Sequence, residues 1–129
     1  MAKWTIEDSR DLYNIRGWGS EYFDINSKGN VIIQPQNGSN HSIDLKELVE
    51  DIQAKGYSLP ALIRFSDILK ASISKLANAF DKSIKEYKYK GAYHGVYPIK
   101  VNQQRQVVEE IVKFGRPYNF GLEAGSKPE

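Results

Sequence analysis

The residue on which chemistry could centre is Lys100. It closes an apolar, alternating run, Tyr93-His94-Gly95-Val96-Tyr97-Pro98-Ile99-Lys100, and parallel α/β folds keep their reacting groups at the carboxyl ends of strands. A lysine amine desolvated in such a place gives up its proton more readily, and the neutral amine attacks an aldehyde carbon to form a Schiff base. Alternation puts His94, Val96, Pro98 and Lys100 on one strand face and Tyr93, Gly95, Tyr97 and Ile99 on the other. Pro98 breaks a local rule, since proline removes a donor from the ladder, and such breaks gather at functional strand ends. A lone strand-end lysine is nevertheless most often a solvated one, so its neighbours must decide. Glu123 ends the run Asn119-Phe120-Gly121-Leu122-Glu123, and Lys127 lies close enough in sequence for an ordinary solvated pair. Arg105 falls on the first turn of a helix, where a structural ion pair would explain it. His94 reads as a packed core histidine.

The elements that must position these groups follow from periodicity. Residues 1–20 show no clean period. Tyr22–Asn26 and Val31–Ile33 flank a turn with Gly29 and Asn30, which tolerate positive φ, so the segment reads as a β-hairpin. A polar stretch, Gln34–Ser42, reads as a loop. Leu45, Leu48, Val49 and Ile52 share one helical face over Asp44–Lys55, with Asp44 and Glu47 at capping-box spacing and Gly56 as the stop. Leu59–Phe65 reads as a first short apolar strand. Ser66 can cap a long helix carrying Leu69, Ile73, Leu76, Phe80 and Ile84. A second strand over Tyr93–Lys100, a helix over Gln103–Phe114 stopped by Gly115, and a third strand over Asn119–Glu123 complete the order. Strand, helix, strand, helix, strand implies a parallel sheet with crossover helices. Periodicity does not choose between a doubly wound sheet and a barrel, although Arg64-Phe65-Ser66-Asp67 lacks the Gly-rich turn of a dinucleotide site.

Gly95-Val96-Tyr97-Pro98-Ile99-Lys100-Val101-Asn102-Gln103-Gln104-Arg105 resembles the cofactor-lysine segment of the biosynthetic arginine decarboxylases. These are pyridoxal-phosphate enzymes with an alanine-racemase-like barrel. Gly121–Glu129 is similar to that family's third-strand motif and Arg64–Leu69 to its first barrel strand. Trp18-Gly19 with Tyr22–Asn26 resembles its N-terminal extension. The resemblance implies an incomplete (β/α)8 barrel. A small N-terminal β element over residues 1–42 would precede the first two to three βα units over 43–129. It implies pyridoxal 5'-phosphate held covalently on Lys100, with Glu123 as an acid beside the cofactor, and conversion of L-arginine to agmatine and carbon dioxide in polyamine biosynthesis. Magnesium, a homo-oligomer and a cytoplasmic setting belong to the same implication, and no metal-ligating residue is identified here. The family's ring-stacking histidine comes later in the chain than His94. Its phosphate-binding loop, the acid for the pyridinium nitrogen and its β domain also lie downstream, so this chain is expected to be a fragment. Two other readings stay open. One is a non-catalytic barrel protein that carries pyridoxal phosphate, although such proteins lack counterparts of Trp18-Gly19 and Gln103-Gln104-Arg105. The other is a fragment inactive by itself.

Composition narrows the remaining classes. With 40% hydrophobic and 26% charged residues the chain reads as globular. No apolar run approaches the roughly 18 residues that span a bilayer, so no membrane partner is expected. A net charge of +2 is too small to argue for nucleic acid. Lys82, Lys85, Lys88 and Lys90, interleaved with Tyr87 and Tyr89, read as a helix end whose cations complement the macrodipole. The chain has no cysteine, which removes disulfide and thiolate chemistry and suits a reducing compartment. Asn37-Gly38-Ser39 and Asn40-His41-Ser42 match the glycosylation pattern by chance within the polar loop.

Overall fold

Helix α1 (Ile6–Leu12) is made by its cap. Thr5 Oγ accepts the Asp8 N–H at 3.2 Å while the Asp8 carboxylate accepts the Thr5 N–H at 2.7 Å, a reciprocal capping box. The cap hydrogen bonds hold the Asp8 carboxyl below the usual carboxylate range, the Thr5 hydroxyl first. The short helix α2 (Ile15–Trp18) follows a left-handed Asn14. Strands β1 (Phe23–Ile25) and β2 (Val31–Ile33) then pair antiparallel as the expected hairpin, with Phe23 opposite Ile33 and Ile25 opposite Val31. Its turn is closed by the Asn26 side-chain oxygen, which accepts the N–H groups of Lys28 and Asn30, and by Gly29 at φ +84°. Asn30 keeps negative φ, so only the glycine uses the left-handed region.

The computed structural model describes residues 3–34 and 41–129. Both glycosylation-pattern asparagines, and most of the polar loop that carries them, lie outside the described residues. The chain falls into two compact units, Met1–Phe65 and Ser66–Glu129.

In the first unit a third strand, β3 (Ile43–Asp44), extends the hairpin to the order β1-β2-β3 by antiparallel pairing with β2. Ile15, Ile25, Ile32 and Ile33 form the buried layer. Arg10 ties α1 to the sheet: its Nε donates to Asp24 Oδ1 at 2.6 Å and its Nη2 to the Ile25 carbonyl at 2.8 Å. That guanidinium holds the Asp24 carboxyl low. Asp44 joins two elements. One carboxylate oxygen accepts the Asn26 and Asn30 side-chain amides at 2.7 and 2.9 Å. The other caps α3 (Leu45–Ala54) through the Lys46 and Glu47 N–H groups. Glu47 does not return the cap; it pairs with Lys28 at 2.8 Å. Gly56, at φ +86°, stops the helix as expected.

The strand expected over Leu59–Phe65 does not form. These residues carry no ladder hydrogen bonds, and Leu62 is 77% exposed. A strand exists only in its ladder, and a short apolar run cannot specify its partner.

In the second unit α4 (Ser66–Glu86) precedes β4 (Val96–Pro98), a 3-10 turn (Ile99–Val101), α5 (Arg105–Gly115), a second 3-10 turn (Arg116–Tyr118) and β5 (Gly121–Glu123). β4 and β5 pair parallel, Val96 with Gly121 and Pro98 with Glu123, so β4-α5-β5 is one complete βαβ unit. Ile73 of α4 and Val107 and Ile111 of α5 form the core, with Leu69, Tyr97, Phe114, Tyr118 and Phe120 packed around them. Ile111 is 3% exposed, a burial that stabilises by about 1.5–3 kcal/mol. Ser66 is the first residue of α4 rather than its cap; its hydroxyl donates to Glu110 of α5. The architecture is mixed α/β with partial sheets. Only one parallel pair stands where two to three βα units were expected, and no closed barrel is present among the described residues.

Candidate functional site

Lys100 lies just past the end of its strand. Pro98 is the last ladder residue of β4 and sits in register with Glu123, after which the backbone tightens into the 3-10 turn. The expected strand over Tyr93–Lys100 thus overruns the observed one by three residues at its start and two at its end. Proline offers no N–H with which to continue the ladder. The lysine still projects from the carboxyl edge of a parallel pair, and Glu123 ends the neighbouring strand on that edge. Lys100 is exposed, with no hydrogen bond or ion pair among the described residues, and Glu123 is half-buried. No ion pair joins the two.

Paired residues in a parallel ladder share a face. Tyr97 packs into the helix-side core, so Leu122 opposite it lies on that side. Val96, Pro98, Gly121 and Glu123 occupy the other face, which is open: Val96 is 57% exposed. His94 precedes β4 and is exposed, so it is not a core histidine. The physical reason is the missing layer: within this unit nothing buries the face that alternation assigned to it.

The turn bearing Lys100 is framed by two residues that periodicity did not single out. Tyr97 Oη donates to the Asn102 carbonyl at 3.3 Å, and the Asn102 side-chain oxygen accepts the Gln104 N–H at 3.0 Å. A polar residue two positions before the helix cap was the available signal. Arg105 forms the plain ion pair, Nε to Glu109 Oε1 at 2.7 Å one helical turn on, and that carboxylate raises the guanidinium pKa. Gly95 and Gly115 make room for Phe120: a Cβ on Gly95 would stand 2.0 Å from its ring, and one on Gly115 2.5 Å from its Cβ.

A large open depression, about 790 Å³, lies elsewhere. Its floor is Ile99, Val108, Val112 and Leu122 on the helix side of the sheet, and neither Lys100 nor Glu123 lines it. The depression and the strand-end lysine are thus separate features of this unit. At the end of α4, Lys85 pairs with Asp81 at 2.5 Å, and Tyr87 and Tyr89 are exposed, in keeping with a solvated helix end.

An exposed primary amine without a competing carboxylate fits the aldehyde of pyridoxal phosphate. The described residues bring together no group of three or more His, Asp or Glu that could ligate a metal ion, so magnesium finds no ligand set among them and no step is derived through it. Among the described residues no helix is long and apolar enough to cross a membrane.

No family model matches the chain. Among curated proteins it is 60% identical over 129 residues to a biosynthetic arginine decarboxylase of Gloeobacter violaceus, covering all of this chain and 20% of that protein. It is 54% identical over 129 residues to the biosynthetic arginine decarboxylase of Phocaeicola vulgatus, again over all of this chain and 20% of that protein. With biosynthetic arginine decarboxylase 1 of Synechocystis it shares 53% over 127 residues, 98% of this chain and 18% of that protein. The chain spans about a fifth of the length of the relatives it matches, and the matched part is their N-terminal part.

Proposed function

We propose, starting from a chain related along its whole length to the N-terminal fifth of the biosynthetic arginine decarboxylases, that it supplies the cofactor lysine of such an enzyme. Residues 1–42 would serve as the extension and residues 43–129 as the opening of the cofactor-binding barrel. In this reading the whole protein converts L-arginine to agmatine and carbon dioxide as a cytoplasmic homo-oligomer. The observation that carries the assignment is Lys100 itself, an unpaired amine on a turn at the carboxyl edge of a parallel strand pair.

Lys100 would hold the aldehyde carbon of pyridoxal phosphate through Nζ, with Glu123 on the neighbouring strand as the nearby acid. When bound, the cofactor supplies an electron sink for the carbanion left as carbon dioxide departs. The part of this chain in that chemistry is to present an amine free of competing ion pairs. With the cofactor bound, Lys100 Nζ would also be placed to carry a proton at the carboxyl edge of the strand pair. Glu123 can hold a proton at its carboxylate on the same edge. The open face of β4 and β5, with Val96 and His94, would become interior when further strands close over it and exclude water.

The test is a chimera in which this segment replaces the corresponding fifth of the Gloeobacter violaceus enzyme. Agmatine release by the chimera, lost on Lys100→Ala with cofactor binding weakened, supports the proposal. Undiminished release by the Lys100→Ala chimera overturns it. A chimera that folds and retains the cofactor but releases no agmatine favours the non-catalytic binding reading.

A further inference from the structure

We propose that Tyr97 and Asn102 are positioning residues that aim Lys100, an inference that rests on the reading of Lys100 as the cofactor lysine. The side chain of Lys100 has no partner among the described residues, so its direction is set by the backbone that carries it. That backbone is a three-residue 3-10 turn without a side-chain cap, and 3-10 turns have poorer hydrogen-bond geometry than α-helices. Left to itself such a turn would unwind between β4 and α5.

It is held at both ends. Upstream, Pro98 is fixed in register with Glu123, and its ring restricts φ to the observed −72°. Downstream, Asn102 is gripped twice. Its carbonyl accepts the Tyr97 hydroxyl at 3.3 Å across the whole turn, and its side-chain oxygen accepts the N–H of Gln104, the cap residue of α5, at 3.0 Å. The Tyr97 ring packs against the Ile73, Val107 and Ile111 core, so the hydroxyl reaches out from a rigid platform. Core, turn and helix start are thereby linked through Asn102, with Lys100 at the middle of the span. A preorganised amine is worth most where the reacting atoms must meet at about 3 Å.

Tyr97→Phe removes the hydroxyl and keeps the ring. In the 129-residue chain, amide hydrogen exchange at residues 100–102 is expected to speed up about twofold, the loss of one long hydrogen bond at the weak end of the range, while core amides at Ile73 and Ile111 stay protected. Labelling of Lys100 by pyridoxal phosphate and borohydride, mapped by mass spectrometry and referenced to Lys113 in the same molecule, is expected to change more than twofold. Asn102→Ala is expected to match Tyr97→Phe in exchange, and Asn102→Asp, which keeps both acceptors, to restore exchange at 100–102 to that of the unmodified chain. In the chimera, Tyr97→Phe is expected to lower kcat with KM for arginine little changed. Unchanged exchange at 100–102 and an unchanged labelling ratio in Tyr97→Phe would overturn the clamp even if Lys100→Ala abolishes activity. Exchange that rises equally throughout the core would also overturn it, because the hydroxyl would then be only a stability contact. If the clamp variants behave as expected while Lys100→Ala leaves the chimera active, the positioning holds and the cofactor assignment fails.

Discussion

Replacing Gly95 by alanine isolates one packing decision at the root of the site. The added Cβ would stand 2.0, 2.5 and 2.7 Å from three ring carbons of Phe120, where carbons at rest keep about 3.5–4.0 Å. The ring cannot simply retreat, because its own Cβ is seated over Gly115, where a built Cβ would come within 2.5 Å. The ring must swing, and overpacking of this kind costs about 1–3 kcal/mol. Against that, alanine loses less backbone entropy than glycine, an offset of about 0.5–1 kcal/mol. The net expectation is a destabilisation of roughly 1–2 kcal/mol, or about 5–15 °C in Tm for a unit of this size. Gly95 also accepts the Gly121 N–H at 2.8 Å, next to the β4–β5 ladder, so the disturbance reaches the edge carrying Lys100 and Glu123. The assay is urea unfolding of Gly95→Ala, Phe120→Leu and the double variant. In the Phe120→Leu background the Gly95 substitution should cost almost nothing, because the clashing ring carbons are gone. An alanine variant as stable as the parent, or one equally costly in both backgrounds, would refute the steric account.

Three further outcomes are expected. Thr5→Ala should lower stability by about 1 kcal/mol and raise amide exchange in α1, since it removes one half of the capping box. The Asp44 carboxyl is held below its ordinary value, first by the Asn30 amide and also by the Asn26 amide and the N–H groups of Lys46 and Glu47. Its stabilisation is therefore complete above the unfolded value of roughly pH 4 and lost as pH falls through the lower folded value. Acid titration of the unfolding midpoint should show that loss, and Asp44→Asn should flatten the curve. The 129-residue chain by itself should release no agmatine and yield little borohydride-trapped cofactor, because water reaches both Lys100 and the open sheet face. Stoichiometric labelling confined to Lys100, together with carbon dioxide release from arginine, would show otherwise.

What could be read from residues alone was whatever is local. Asp44 before α3, Gly56 after it, Gly29 in the hairpin and the apolar stripe of α5 are each legible within a few positions. The Thr5–Asp8 capping box is equally local but went unread, because residues 1–20 lack a period to draw the eye to α1. What could not be read was pairing. Leu59–Phe65 has the composition of a strand but no ladder, and β3 adds a third strand that two residues could not announce. Ser66 looked like a cap, and its hydroxyl instead reaches Glu110, 44 residues away. At the site, the lysine and its edge were legible from alternation and motif. The turn that carries Lys100 and the bridge from Tyr97 to Asn102 were not, because they depend on where the core holds the Tyr97 ring.

The unpaired stretch between α3 and α4 has a consequence for handling the molecule. Residues 58–65 belong to no helix or strand, most are exposed, Lys55 precedes them and Arg64 lies among them. Accessible chain outside helix and ladder meets a protease cleft readily, whereas helix and ladder residues must first unfold. Trypsin at low dose should therefore nick the chain at Lys55 or Arg64 before it attacks the lysines within α4. The products would be two pieces divided ahead of Ser66, each retaining its own buried isoleucines.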